Sequence, residues 1–143
     1  MKSCDVSVII PAYCSEKFIF RAIESVLSQT VLPNEIIIID DGSTDNTISV
    51  LNGYIKKSTN VKIVVLSQSH KGPGAARNLG LRHSRSKYIA FLDSDDEWLP
   101  KKLQISVQFL EQENYDLVAH NVIMVTENKQ TRNDIAARYK KAK

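Results

Sequence analysis

Hydrophobic and polar positions alternate along the chain between two periods. Val6–Ile10 is a nearly unbroken apolar run closed by Pro11, the pattern of a strand buried on both faces. Apolar pairs then recur every four residues, at Phe18/Ile19, Ala22/Ile23 and Val26/Leu27. That spacing predicts a helix, with Ser15 as its N-cap and Pro33 beyond its end. Ile36–Ile39 is wholly β-branched and predicts a second buried strand, running into the turn signal Asp40-Asp41-Gly42-Ser43. A helix follows, capped by Ser43 or Asp45, with Ile48, Leu51, Tyr54 and Ile55 on its apolar face. Val61–Leu66 is a third strand, 67–74 a polar Gly/Pro-rich loop, Ala75–Leu81 a short helix and Tyr88–Leu92 a fourth strand stopped by Asp93-Ser94-Asp95-Asp96. Pro100 suits the first turn of a helix that Leu103, Val107 and Leu110 continue. Leu117–Ala119 and Val122–Val125 are further strand candidates, and 134–143 forms a weak helix or none.

Alternating buried strands and helices predict an α/β fold, a mostly parallel sheet sandwiched by helices. The expected organisation is one domain over residues 1–126 and a polar, basic tail over 127–143. Sheets of this kind bind ligands outside the carboxyl ends of their strands. At that edge stand Pro11-Ala12-Tyr13, Asp40-Asp41-Gly42 and Asp93-Ser94-Asp95-Asp96.

Composition narrows the function classes. The chain has 143 residues, 43% hydrophobic and 24% charged, ordinary for a globular domain. It has no apolar run near the ~20 residues that span a bilayer. No secretory leader is evident at Met1, so the cytoplasm is the expected address. Cys4 and Cys14 fit neither a disulfide framework nor a zinc knuckle and read as reduced thiols. The net charge is +3, with Arg138, Lys140, Lys141 and Lys143 crowding the end. Such a tail leaves peripheral contact with an anionic membrane face open, although a solvated terminus is the plainer reading. No basic stripe follows a phosphate backbone, so no nucleic-acid partner is expected.

The acidic clusters carry the chemistry. Asp93 and Asp95, spaced two apart at a strand end, can aim hard oxygens at one point, which suits Mg²⁺ or Mn²⁺ beside a diphosphate. A helix cap is the plainer alternative, but a cap needs one acid, and three within four residues repel one another unless a cation intervenes. Trp98 stands where a calcium-binding EF-hand loop needs glycine. Asp41, and with less weight Asp40, can accept hydrogen bonds from a nucleobase or a ribose, while turn chemistry accounts for Gly42, Ser43 and Asp45. Gly72-Pro73-Gly74 before a helix is a weak phosphate signal. Arg77 either pairs with the acidic edge or contacts a phosphate, and both readings stay open. His70, His83 and His120 match no metal or triad spacing and read as surface or satisfied histidines. Trp98 reads as packing, and Cys14 has no evident base to make it a nucleophile.

In order along the chain, Val6-Ser7-Val8-Ile9-Ile10-Pro11-Ala12-Tyr13, Ala22-Ile23-Glu24-Ser25-Val26-Leu27-Ser28-Gln29-Thr30, Glu35–Asp45, Gly72–Gly80 and Tyr88–Asp96 resemble the inverting nucleotide-sugar glycosyltransferases of family 2. The resemblance covers residues 5 to about 110. It implies a Rossmann-like GT-A fold. It also implies that Pro11, Ala12 and Tyr13 line the nucleotide pocket, that Asp41 binds the base, usually uracil, and that Arg77 lies near the nucleotide. Asp93 and Asp95 would form the family's Asp-x-Asp, with Asp95 the more direct metal ligand and Ser94 beside the ribose. The implied partners are a nucleotide-sugar donor and a saccharide or lipid-linked acceptor, with a homo-oligomer also open. Where the family commonly has Asn, this chain has Cys14. The family's second half supplies the acceptor site and a general base. This sequence ends at Lys143 without a recognisable base motif, Glu127 and Asp134 being the remaining acids, so it is expected to bind donor and transfer little. A binding-only module is the competing reading. A haloacid-dehalogenase-type hydrolase does not fit, since Asp93 comes late and Glu97 replaces the Thr or Val that would follow; a receiver domain does not fit either, since Asp40-Asp41 falls on the second strand.

Overall fold

The computed structural model describes residues 3–56, 60–112, 116–120, 122–126 and 129–133. The elements run β1 (Ser3–Ala12), α1 (Ile19–Leu27), β2 (Leu32–Asp40), α2 (Thr47–Lys56), β3 (Lys62–Ser67), α3 (Pro73–His83), β4 (Tyr88–Phe91), α4 (Lys102–Gln112), β5 (Val122–Thr126) and β6 (Lys129–Asn133). The chain forms two compact units, Met1–Leu103 and Gln104–Lys143. No helix among the described residues is long and apolar enough to cross a membrane.

The first unit is built on a four-stranded parallel sheet in the order β3-β2-β1-β4. Parallel strands need crossovers, and α1, α2 and α3 supply them. Alternation along the strands sends Ile9, Ile37 and Ile39 to one face, where α3 packs through Ala76. Val8, Ile10, Ile36 and Ile38, each inaccessible to solvent, fill the other face. Gly80 on α3 lies against the sheet: a Cβ there would come 2.6 Å from Ile9 Cγ2 and 2.8 Å from Ile39 Cδ1. A side chain there would force either these isoleucine side chains or the helix to shift.

Strand order places the site. The chain adds β2 and β3 to one side of β1 and then returns to lay β4 on the other side. Where strand order reverses, the crossovers leave in opposite directions and open a crevice at the carboxyl edge. Here that point lies between β1 and β4, below Pro11-Ala12-Tyr13 and Asp93-Ser94-Asp95.

Several local details depart from the sequence reading. β1 continues through Pro11, which pairs with Ile39. The missing N–H is harmless, because pairing with β4 stops at Ile9–Phe91 and Leu92 N–H bonds Ile9 O, so the Pro11 nitrogen faces beyond the end of β4. Ser15 does not cap α1 with its hydroxyl, which is buried without a hydrogen-bond partner; its carbonyl accepts from the Phe18 and Ile19 N–H groups instead. Of the two cap candidates for α2, Asp45 does the work, accepting from the Thr47 N–H and hydroxyl at 3.0 and 2.6 Å. Residues 117–119 are not strand.

In the second unit, β5 forms where Val122–Val125 predicts it, and it pairs antiparallel with β6, which the polar sequence did not signal. This hairpin joins residues on both sides of position 126. The weak helix considered over 134–143 lies outside the described residues.

Candidate functional site

A cavity of about 280 Å³ opens at the carboxyl edge of the first unit. Pro11, Ala12, Tyr13, Asp41, His70, Pro73, Arg77, Asp93, Ser94 and Asp95 line it. Pro11, Ala12, Tyr13, Asp41, Arg77, Asp93, Ser94 and Asp95 thus stand around one space, while Asp40, Gly72 and Gly74 do not line it. His70 is an addition. The sequence reading set His70 aside as a surface or satisfied histidine, because only the fold brings the loop after β3 beside the end of β2.

Asp41 is the best-buried charged group at this edge, 2% exposed. Its Oδ1 accepts from Gln68 Nε2 at 2.6 Å and Lys71 N–H at 2.9 Å, and its Oδ2 accepts from Gly72 N–H at 2.8 Å. His70 Nδ1 lies 2.9 Å from Oδ2 and 3.2 Å from the Asp41 carbonyl. Burial alone would raise the Asp41 pKa, but the hydrogen bonds from Gln68, Lys71 and Gly72, with His70 beside them, outweigh it and hold the carboxyl below its ordinary value. With about four lone-pair sites on a carboxylate, these contacts fill it. Asp41 therefore ties down the whole loop between β3 and α3. Gly42 completes the junction: its φ is +76°, and a Cβ there would come 2.9 Å from the His70 backbone nitrogen. Asp40 is buried too, and its Oδ1 accepts from Ser43 N–H at 3.3 Å, a turn role.

Tyr13, half exposed at the end of β1, stacks on the His70 ring with centroids 4.0 Å apart and planes 28° from parallel. An aromatic pair at a cavity mouth offers a flat face to a ring-shaped ligand. Next to Tyr13, Cys14 adopts φ +46°. Its N–H donates to Ser43 Oγ at 2.9 Å, and hydrogen bonding with Thr44 lowers the thiol pKa. The left-handed backbone gives a physical reason for the Asn that the resemblance leads one to expect here, since Asn tolerates that region better than most residues.

Across the cavity, Arg77 Nη2 lies 2.5 Å from Asp93 Oδ1. The acidic-edge pair, one of the two readings left open for Arg77, is formed. Asp95 is exposed. Burial, and then the charges of Asp95 and Asp93, raise the Asp96 pKa, so like charges crowd the loop even with Asp93 paired to Arg77. Among the described residues no three His, Cys, Asp or Glu side chains form a closed metal cage. The donor set does fit a hard cation that takes one or two carboxylates and completes its shell with water and phosphate oxygens. Such an ion would also relieve the repulsion. Trp98 is not among the lining residues; its ring carries the Lys102 ammonium at 3.7 Å, a packing role. His83 Nδ1 lies 3.0 Å from Leu79 O, and in the second unit His120 Nε2 lies 2.7 Å from Ser106 Oγ, so both are satisfied away from the cavity.

The family described as Glycosyl transferase family 2 matches residues 7–140. An uncharacterised glycosyltransferase of Rickettsia felis is 48% identical over 110 residues, which are 77% of this chain and 18% of that protein. The Escherichia coli enzyme UDP-Glc:alpha-D-GlcNAc-diphosphoundecaprenol beta-1,3-glucosyltransferase WfaP is 44% identical over 109 residues, 76% of this chain and 42% of that one. The structure of S. aureus TarS 1-349 in complex with UDP-GlcNAc superimposes with a TM-score of 0.67 at 34% identity, over 81% of this chain and 33% of that chain. The chain thus spans well under half of the length of each of these three.

Proposed function

The chain belongs to glycosyl transferase family 2, and from that premise we propose that its first unit is the donor-binding part of a metal-dependent glycosyltransferase that holds a UDP-sugar. The observation that carries the reading is the convergence of Pro11, Ala12, Tyr13, Asp41, Arg77, Asp93, Ser94 and Asp95 on one cavity at the β1/β4 reversal. UDP is favoured as the nucleotide because WfaP uses UDP-Glc and TarS has been solved with UDP-GlcNAc.

In this reading the base lies against Tyr13, above the floor of Pro11 and Ala12. The uracil imide N–H takes the place of His70 on Asp41 Oδ2, His70 being the exposed member of that hydrogen-bond set. Ser94 lies beside the ribose, and Arg77 turns from Asp93 toward the diphosphate. Asp95, with Asp93, holds Mn²⁺ or Mg²⁺, which would neutralise charge on the departing diphosphate. The acceptor is a saccharide or lipid-linked hydroxyl, met at the inner face of the cytoplasmic membrane. Glu127 and Asp134, the acids considered as a general base, lie outside the described residues.

The test is a titration of UDP into the purified chain with Mn²⁺ and with chelator, on wild type and Asp95→Ala. UDP should bind more tightly with Mn²⁺, and Asp95→Ala should lose that gain while folding normally. Equal affinity with and without chelator sinks the metal reading. An unfolded Asp95→Ala would mark the carboxylate as structural.

A further inference from the structure

The acidic loop is anchored at both ends, and the downstream anchor is a buried amide that no part of the nucleotide reading uses. Upstream, Leu92 N–H bonds Ile9 O, which fixes the loop to β1. Downstream, the chain crosses the end of α1. There Trp98 N–H donates to Ser25 Oγ at 3.1 Å, and Thr30 N–H donates to Pro100 O at 2.9 Å. Gln29, 4% exposed, donates from Nε2 to Leu99 O at 2.8 Å and to Ser25 O at 3.0 Å, while its Oε1 accepts from Leu103 N–H at 3.0 Å. Leu103 is in the first turn of α4, so its N–H has no partner within that helix. Gln29 thus closes the end of α1, grips the loop's exit and caps α4 with one side chain.

Between these anchors, the segment from Asp93 to Glu97 belongs to no helix or strand and has one local backbone bond, Asp96 N–H to Asp93 O at 3.1 Å. Such a segment has little backbone structure of its own; the partly exposed ion pairs of Asp93 with Arg77 and of Glu97 with Arg21 hold it weakly, and its backbone is fixed at its ends. We propose that Gln29, assisted by Ser25, is a positioning residue that fixes where Asp93 and Asp95 present their carboxylates to the metal and diphosphate. The inference rests on the metal-dependent donor site proposed above. It adds residues that line no part of the cavity. Groups that orient metal-binding carboxylates act through geometry, and their loss typically costs about 10–100-fold in metal affinity.

The experiment compares wild type, Gln29→Met and Ser25→Ala. Gln29→Met keeps the length of the side chain and loses its hydrogen bonds. Ser25→Ala removes the acceptor for Trp98 N–H and spares the Gln29 contacts to Leu99 and Leu103, so a folded variant remains even if Gln29→Met does not fold. For each protein, Mn²⁺ affinity at saturating UDP is read by electron paramagnetic resonance, uridine affinity without metal by calorimetry, and folding by thermal unfolding. The expected result is a loss of Mn²⁺ affinity of about 10-fold or more in Gln29→Met and a smaller loss in Ser25→Ala, with uridine affinity unchanged in both. Variants that unfold at lower temperature but keep wild-type Mn²⁺ affinity when folded would overturn the positioning role and leave the donor site standing. Wild type that binds no Mn²⁺ with UDP would overturn both.

Discussion

Arg77 and Asp93 face each other across the cavity as an ion pair, the guanidinium of α3 against the first carboxylate after β4. Both side chains are partly exposed, 33% and 50%, so the pair is screened and contributes at most about 1 kcal/mol. A weak pair of this kind can be exchanged: a cation can displace Arg77 from Asp93, and a phosphate can receive the freed guanidinium. Arg77→Ala should therefore bind Mn²⁺ alone somewhat more tightly, by up to about fivefold, and bind UDP with Mn²⁺ more weakly. Parallel titrations of Mn²⁺ and of Mn²⁺ with UDP would check both directions. Weaker binding of bare Mn²⁺ would show that Arg77 supports the loop and does not compete with the ion.

Asp41 makes folding sensitive to acid. Its pKa is lowered in the fold from an ordinary value of 3.8, so the unfolded chain binds the proton more readily. The stability it contributes is complete above the ordinary value and is lost as pH falls through the lower folded value. Asp41→Asn should destabilise the chain at pH 7 by about 1–3 kcal/mol, because Lys71 and Gly72 N–H bond different oxygens and the new amide nitrogen must oppose one of them. The gap between the two proteins should narrow toward pH 3, as measured by urea unfolding. A gap independent of pH would mean that the carboxylate charge is not what ties the loop.

Cys14 occupies a backbone region that favours Gly or Asn. Cys14→Asn should raise stability by roughly 1 kcal/mol, since left-handed backbone at an ordinary residue costs on that order. Ser43 and Thr44 still face the loop, and UDP affinity should hold or improve. A lower unfolding midpoint for Cys14→Asn would show that the contact between the thiol and Thr44 outweighs the backbone strain.

Among the described residues, none of the three acids that line the cavity is left free to act as a base. Of its acids, Asp41 is filled by hydrogen bonds, Asp93 is paired with Arg77, and Asp95 is assigned to the metal. General-base help is typically worth about 10²–10⁴-fold in rate. The 143-residue chain should therefore release UDP from UDP-sugars slowly, by hydrolysis, and glycosylate added acceptors scarcely at all. Incubation with Mn²⁺, UDP-sugars and a panel of saccharide acceptors would test this, and transfer at an ordinary enzymatic rate would refute it.

The strands that pack on both faces announce themselves, because Ile36–Ile39 and Val6–Ile10 have no other use in a globular chain. Their carboxyl ends follow directly, and with them Tyr13 and Asp41; Asp93 follows from the shorter strand Tyr88–Phe91. His70 was not legible: its role comes from a loop laid over Gly42 by the Asp41 hydrogen bonds, and no local spacing encodes that crossing. Gln29 was hidden for a similar reason. A glutamine at a helix end reads as surface until a segment some seventy residues later lies across it. Hydrophobic periodicity reports which face of an element is buried; it is silent on which polar side chain another loop will need.

Gly80 gives the site a dimensional tolerance. Arg77 sits one turn before it on α3, so the depth at which that helix rests on the sheet also fixes how far the guanidinium stands from Asp93. The gauge is a missing methyl group, bearing on Ile9 and Ile39, the strands that end in the cavity floor and in Asp41. A side chain at position 80 would press on both isoleucine side chains, and any rise of α3 that relieved the contact would widen the gap on the nucleotide side. The bore of the pocket is thus machined from inside the core, at a residue no ligand would touch.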